Sequence, residues 1–489
     1  MRLQRRQRFQ PSSLRLAGFA TLASVALLGA CGGSADVPIA EEARAHDARV
    51  FTADASATTF AAMTAAAGDN VDMGSTSRWA GVLGGAGYRI EVPSNWNGKL
   101  VMYAHGYAGN GSAVNVQNPL IRRYLIQNGY AWAASSYSKS YYDVRAGVED
   151  TNALALEFTK IAAANLRTLS APTRTYITGV SMGGHITAAA IEDETAATAI
   201  HKVKYHGAVP MCGVMGDTEL FNEFAAMQLA AQAVAGVPSY PNTKWSEIQA
   251  LVTGALFTDS ANLKGPTAAG QKYLSVLKNL TGGERPMYTL GVNNGPSFGY
   301  SYGQFGADGT ITGILNKSMF DTSAYTYVID GDAAGSAALN ASVQKLSAAA
   351  DVNRLRSDGL RWIPKANGEF RIPVVSIHTL GDLFVPFSMQ QIYQKRVAAK
   401  GNSGWLVQRA LRGISHCDFT VAEASTAFDD MIKWERDNIK PAGDDVVTAA
   451  TVAASTYGCT FTNNTLGGDD TASTKSMRAV ALANSAACP

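Results

Sequence analysis

The chain has 489 residues, 46% hydrophobic and 16% charged, which suffices for one large domain with an insertion or for two domains. Its formal net charge is +2, yet Arg2, Arg5, Arg6, Arg8 and Arg15 precede Cys31 with no acid among them; without these five, 36 basic side chains face 39 acidic ones, a net charge of −3. That balance argues against nucleic acid as a partner.

The five arginines lead into an uncharged stretch from Leu16 to Ala30 and then small residues, the layout of a signal peptide over residues 1–30. Its end, Leu28-Gly29-Ala30-Cys31, resembles the bacterial lipobox, in which the cysteine is lipidated and becomes the first mature residue. Cys31 is therefore expected to anchor the protein to a membrane of the bacterial envelope, with plain secretion as the alternative. The uncharged stretch is too short for a comfortable membrane span. Arg5-Arg6 is a faint twin-arginine signal. Residues 31–75 are rich in Ala, Thr, Ser and Asp and read as a flexible tether.

From Tyr88 strand and helix signals alternate. Tyr88 to Val92 and Lys99 to Ala104 read as strands, the second ending in His105-Gly106. A helix follows, with Pro119 at its start, Ile121, Tyr124 and Leu125 on its apolar face, and Asn128-Gly129 at its close. Next come a strand from Tyr130 to Ser135, a long helix near Val144 to Leu166, a strand through Thr175-Tyr176-Ile177-Thr178, and a helix from Ile186 to Ile191. Val203 to Pro210, Ile372 to His378 and Trp405 to Leu411 give further strands, and the last precedes a helix around Phe419 to Asp437. Such alternation predicts an α/β fold, a mainly parallel sheet flanked by helices on both faces, with its core at 76–213 and 371–440. Residues 214–370 break the pattern with helical pieces at Phe221 to Ala235 and Ala337 to Ala350. That is too long for a loop, so a mostly helical cap insertion is expected. The tail, 441–489, is polar and weakly patterned.

The informative motif is Gly179-Val180-Ser181-Met182-Gly183, set between a strand and a helix. In that context a serine sits on a sharp turn, its hydroxyl exposed and helix N-terminal amides aimed at it, and the flanking glycines let strand and helix pack closely. This is the geometry of a nucleophile for acyl transfer. Serine needs a base to activate it and an acid to orient the base. Of the seven histidines, His46 lies in the tether, His105 and His185 in glycine turns, and His201 and His206 by a strand start. His378 and His416 remain. His416 follows the last strand directly and is the base candidate, and Asp382, in the turn beyond the strand that ends at His378, is the acid candidate. Asp418 is the rival acid, better read as capping the final helix.

The order Ser181, Asp382, His416, each beyond a strand, resembles the α/β-hydrolase superfamily. The resemblance covers about 76–213 and 371–437. It implies an acid after the cap insertion and an oxyanion hole of two backbone amides, from Met182 and from Tyr107 in the loop after His105-Gly106, with His105 bracing that loop. Cys417 adds a partial likeness to feruloyl esterases and tannases, which join a cysteine after the catalytic histidine to one before the serine. Here Val180 precedes Ser181, so the likeness points to Cys212 instead. Export makes an oxidising compartment the expected one, so Cys212, Cys417, Cys459 and Cys488 can form two disulfides in any of three pairings, of which Cys459 with Cys488 would staple the tail.

No metal or cofactor motif is present, and Asp330-Gly331-Asp332 lacks the remaining ligand positions of a calcium loop. Tyr137, Tyr141 and Tyr142, with Phe298, Tyr300, Tyr302 and Phe305, are candidates for an aromatic cleft. The expectation is an exported, cofactor-independent serine esterase acting on small or polymeric esters, aromatic and polyester substrates among them. Alternatives are a peptidase of the prolyl oligopeptidase type, a hydrolase of carbon–carbon bonds in β-diketones, and a non-catalytic binding lipoprotein.

Overall fold

A computed structural model describes residues 43–54, 59–295, 314–484, 486 and 488. The signal peptide reading, Cys31 and the aromatics Phe298, Tyr300, Tyr302 and Phe305 lie outside the described residues. Eight strands form the central sheet: β1 Ser77–Leu83, β2 Ala86–Val92, β3 Lys99–Ala104, β4 Ala131–Ser135, β5 Arg174–Val180, β6 Gly207–Met211, β7 Val374–Thr379 and β8 Leu406–Leu411. Their spatial order is β8-β7-β6-β5-β3-β4-β2-β1. Every pairing is parallel except those of β2, which runs antiparallel to both β1 and β4. This is an α/β-hydrolase fold.

The period of two along β3 builds the two cores. Leu100 and Met102 face one side, where they pack with Phe158 and Ile186, and Val101 and Tyr103 face the other, with Leu125, Phe428 and Met431. The helices α1 Arg122–Gln127, α2 Val144–Ala164 and α3 Met182–Ala190 connect the strands up to β6. After β6 the chain enters the insertion, whose described part holds α4 Glu219–Val234, α5 Trp245–Leu256, α6 Ala268–Leu280, α7 Tyr288–Asn294, α8 Ala333–Ser342 and a small hairpin, Phe257–Asp259 with Lys264–Pro266. The sequence placed a helix at 337–350, but a valine ends α8: Val343 is extended, with φ −62° and ψ 136°.

Two segments are more ordered than their composition suggests. Residues 43–54 and 59–75 were expected to be a tether, yet Arg44 is buried and donates to Asp143 at 3.1 Å, with its guanidinium 3.5 Å from the Trp362 ring centre. The tail is likewise built in. It carries helix Ala472–Ala483, the disulfide Cys459–Cys488, and Arg478, which is buried and donates to Glu423 at 2.7 Å. Polar composition hid both, because their apolar anchors, such as Met73, Val452 and Tyr457, are few and widely spaced and act together with buried ion pairs. Among the described residues no helix is long and apolar enough to cross a membrane.

Candidate active site

Ser181 joins β5 to α3 with φ 57° and ψ −122°, a backbone conformation that non-glycine residues rarely adopt. The surrounding glycines explain how the turn closes. A Cβ on Gly183 would lie 2.0 Å from the Ala104 carbonyl oxygen, and one on Gly179 would lie 2.3 Å from that of Gly183. Close approach of α3 to β3 and β5 therefore requires both glycines, and it lifts the Ser181 hydroxyl to the carboxyl edge of the sheet.

The structure brings the three candidate residues into one chain of contacts. His416 Nε2 is 2.8 Å from Ser181 Oγ, and its Nδ1 is 2.6 Å from Asp382 Oδ2. The other Asp382 oxygen accepts from the backbone amides of Phe384 at 2.9 Å and Val385 at 3.0 Å, so the fully buried carboxylate is held in one orientation. Because Nδ1 faces a carboxylate, it carries the proton, leaving Nε2 to accept from the serine hydroxyl.

His378, the other histidine left after elimination, holds this turn. Gln390 donates to His378 Nδ1 at 3.2 Å, so His378 Nε2 donates to the Val385 carbonyl at 2.7 Å. Burial lowers its pKa and favours this neutral form. Arg285 was not foreseen. It is buried in the insertion and donates from Nε to the Leu380 carbonyl at 2.8 Å, two residues before Asp382; burial brings its pKa down to about 10. Nothing in the local sequence around Arg285 marks this role, since it depends on the insertion folding back over the β7 turn.

Asp382, and not the rival acid Asp418, contacts His416 Nδ1. The Asp418 carboxylate accepts from Ile414 N at 3.1 Å, and the cap of helix Val421–Asp437 is Thr420, paired reciprocally with Glu423. The expected capping role therefore belongs to Thr420.

Gly106 is next to the elbow: a Cβ there would meet Ser181 Cβ at 3.2 Å. That places the loop carrying Tyr107 against the elbow, and Tyr107 lines the same pocket as Ser181. Met182 begins α3, so its amide has no acceptor within the helix. His105 stacks on Tyr137, centroids 4.1 Å apart, and Tyr137 Oη donates to the His105 carbonyl at 2.9 Å. Tyr141 instead packs against His46, while Tyr142 joins Tyr107, Leu220, Phe221, Phe224 and Phe384 around a pocket that contains Ser181.

Cys212, just after β6, is bonded to Cys417, the residue after His416. Cys417 Sγ lies 3.4 Å from His416 Nε2. The sulfurs of Cys212 and Cys417 and a ring nitrogen of His416 lie within 4.8 Å of one another, but sulfurs bonded to each other do not ligate a metal as thiolates do. At Asp330 and Asp332 the carboxylates pair with Lys278 at 2.8 Å and Lys272 at 3.0 Å.

No family model matches the chain. Among curated proteins it is similar to o-phthalyl amidase from Xanthobacter agilis, 30% identical over 66 residues; the stretch covers 14% of this chain and only 15% of that protein. Among solved structures it is similar to feruloyl esterase B from Aspergillus oryzae, at 14% identity over 76% of this chain and 84% of that one, TM-score 0.39. It is also similar to an esterase from the same organism, at 12% identity over 75% and 80% of the two chains, TM-score 0.39. An acylaminoacyl peptidase from Pyrococcus horikoshii follows at 11% identity over 76% and 42%, TM-score 0.35.

Proposed function

We propose that the protein is a serine hydrolase that cleaves carboxylic esters through an acyl-enzyme. The observation that carries this reading is the line of contacts from Ser181 Oγ through His416 to the buried, doubly amide-bonded carboxylate of Asp382. Ser181 Oγ attacks the ester carbonyl carbon as its proton passes to His416 Nε2. The tetrahedral oxyanion is held by the amides of Met182 and Tyr107, a pair of donors each worth about 2.7–4 kcal/mol. Collapse breaks the bond to the alkoxide oxygen, which takes the proton from His416 and leaves as the alcohol. Water then donates its proton to Nε2, attacks the acyl-enzyme, and releases the carboxylic acid with Ser181 restored. Asp382 stabilises the imidazolium in both halves.

Amide hydrolysis is the second reading, since the same groups serve it and the similar proteins include an amidase and a peptidase. Esters are preferred here because an alcohol needs less assistance from the acid than an amine does. Export and lipidation at Cys31 complete the proposal, supported by the signal-like N-terminus and by two disulfides, which suit an oxidising compartment. Polyester and aromatic substrates are compatible with the ring-lined pocket.

A fluorophosphonate probe should label the wild type and not Ser181→Ala. Absence of label on a folded wild type overturns the hydrolase reading. p-Nitrophenyl esters should be cleaved faster than peptide anilides, and the reverse order makes the protein an amidase. Metabolic labelling with palmitate, lost in Cys31→Ala, tests the anchor.

A further inference from the structure

The pocket beside Ser181 has an empty volume of about 350 Å³, part of it open to solvent, and among the described residues that line it none is charged. Several polar groups beside it, apart from Ser181 itself, are turned elsewhere. Tyr142 contributes its ring, while its hydroxyl bonds His185 Nδ1 at 2.8 Å. Between Phe221 and Phe224 on α4, Asn222 accepts from the Asp321 amide at 2.9 Å, and the Glu223 carboxyl lies against Ser388 Oγ at 2.7 and 3.0 Å. Asn222 thus ties α4 within the insertion, and Glu223 ties it to the rest of the protein. Leu220, Phe221 and Phe224 of α4 face the serine.

In the lining of this space a ring from the insertion meets a ring from the acid turn. Phe224 stacks on Phe384 with centroids 5.8 Å apart and planes at 23°, and Phe384 stands edge-on to His416 at 5.5 Å. Phe224 is buried, and α4 is buried on all sides from Leu220 to Gln232, so the Phe224 ring has little room to swing aside.

Which half of an ester occupies the pocket follows from the chemistry. The alcohol must leave and water must enter before the acyl-enzyme can be hydrolysed, so a partly enclosed apolar space suits the part that stays attached to Ser181. We infer that Phe224 and Phe384 form the end wall of an acyl pocket and restrict the protein to short, uncharged acyl groups. This rests on the serine-hydrolase reading. A longer chain would have to displace a stacked pair, and a terminal carboxylate would be desolvated with no cation among the described lining residues to pair it.

The test is kcat/KM for p-nitrophenyl acetate, butyrate, octanoate and laurate, and for the mono-p-nitrophenyl ester of succinic acid. In the wild type, acetate and butyrate should be the best substrates, and succinate should fall well below butyrate. Phe224→Ala should raise the laurate-to-butyrate ratio about tenfold or more, because each group accommodated or excluded in an apolar pocket changes discrimination by that order. Phe224→Leu, which keeps the helix packed, should raise octanoate alone. An unchanged laurate-to-butyrate ratio in folded Phe224→Ala, an unchanged octanoate-to-butyrate ratio in folded Phe224→Leu, or a wild type that prefers laurate or succinate, overturns the inference while leaving ester hydrolysis intact. A wild type that cleaves none of the five esters overturns the serine-esterase reading itself.

Discussion

Cys212 and Cys417 are joined across 205 residues of sequence, and their bond lies one residue from the histidine that faces Ser181. Both cysteines have left-handed backbones, φ 43° and φ 54°, which non-glycine residues seldom occupy. Cys212 is fixed further by its amide, which donates to the Ile377 carbonyl at 2.9 Å. The ends of β6 and β7 and the His416 loop are therefore held together at one point.

Replacing both cysteines by serine should lower stability by about 2–4 kcal/mol, the usual range for loss of a disulfide. Below the melting temperature of the variant, kcat should fall about tenfold or more while KM changes less, since a displaced base weakens the transition state more than it weakens substrate binding. Urea melts and steady-state kinetics read both. A fully folded variant with wild-type kcat would deny the disulfide any part in placing His416.

Asp382→Asn should leave the fold intact and lower kcat by about 10³–10⁴, because an amide can present its NH₂ to Nδ1 and reverse the imidazole tautomer. Asp418→Asn should have a far smaller effect on kcat, since that carboxylate serves the Ile414 amide rather than the base. Circular dichroism and kinetics on the pair separate the two acids. Equal losses would return Asp418 to candidacy.

How much of this was legible depends on how local the signal is. Ser181 announces itself within five residues, and His416 and Asp382 follow from strand ends, so the site residues that the structure brings together could be named from sequence. The edge strand β1 was not seen, because Ser77–Leu83 alternates poorly and is only partly buried. Helix Ser388–Ala399 was passed over too: Gln390, Gln391, Gln394, Lys395 and Arg396 mask its apolar positions, and buried Gln390 works through hydrogen bonds to His378 and Gln408. Arg285 and the Phe224–Phe384 pair were illegible for a different reason. Each acquires its role only when residues about 95 to 160 positions apart meet.

The strained serine gives a third prediction. At φ 57° and ψ −122° a side chain costs on the order of 1–3 kcal/mol, which glycine would not incur. Ser181→Gly should therefore be more stable than Ser181→Ala, by about 1 kcal/mol after the extra backbone entropy of glycine is subtracted. Both variants should be inactive toward esters. Denaturant midpoints at equal slope decide it, and an Ala variant as stable as the Gly variant would mean that the elbow stores no strain.

Glu223 yields a prediction about pH. Burial raises its pKa from the ordinary 4.5 to about 8, and repulsion from Glu219 adds to this, while the nearby Arg285 and the hydrogen bond to Ser388 oppose it. Between those two values an unfolded chain has lost the proton that the folded protein still holds. The folded state then binds more protons than the unfolded one, so stability falls as pH rises through this window and levels off above about 8. The loss is on the order of a few kcal/mol. Glu223→Gln keeps the shape and the contact with Ser388 but cannot ionise, so it should match the wild type near pH 5 and exceed it near pH 8. Urea midpoints at the two pH values measure the difference directly; a gap that stays constant between them would show that Glu223 is already ionised in the fold, with Arg285 as its counterion.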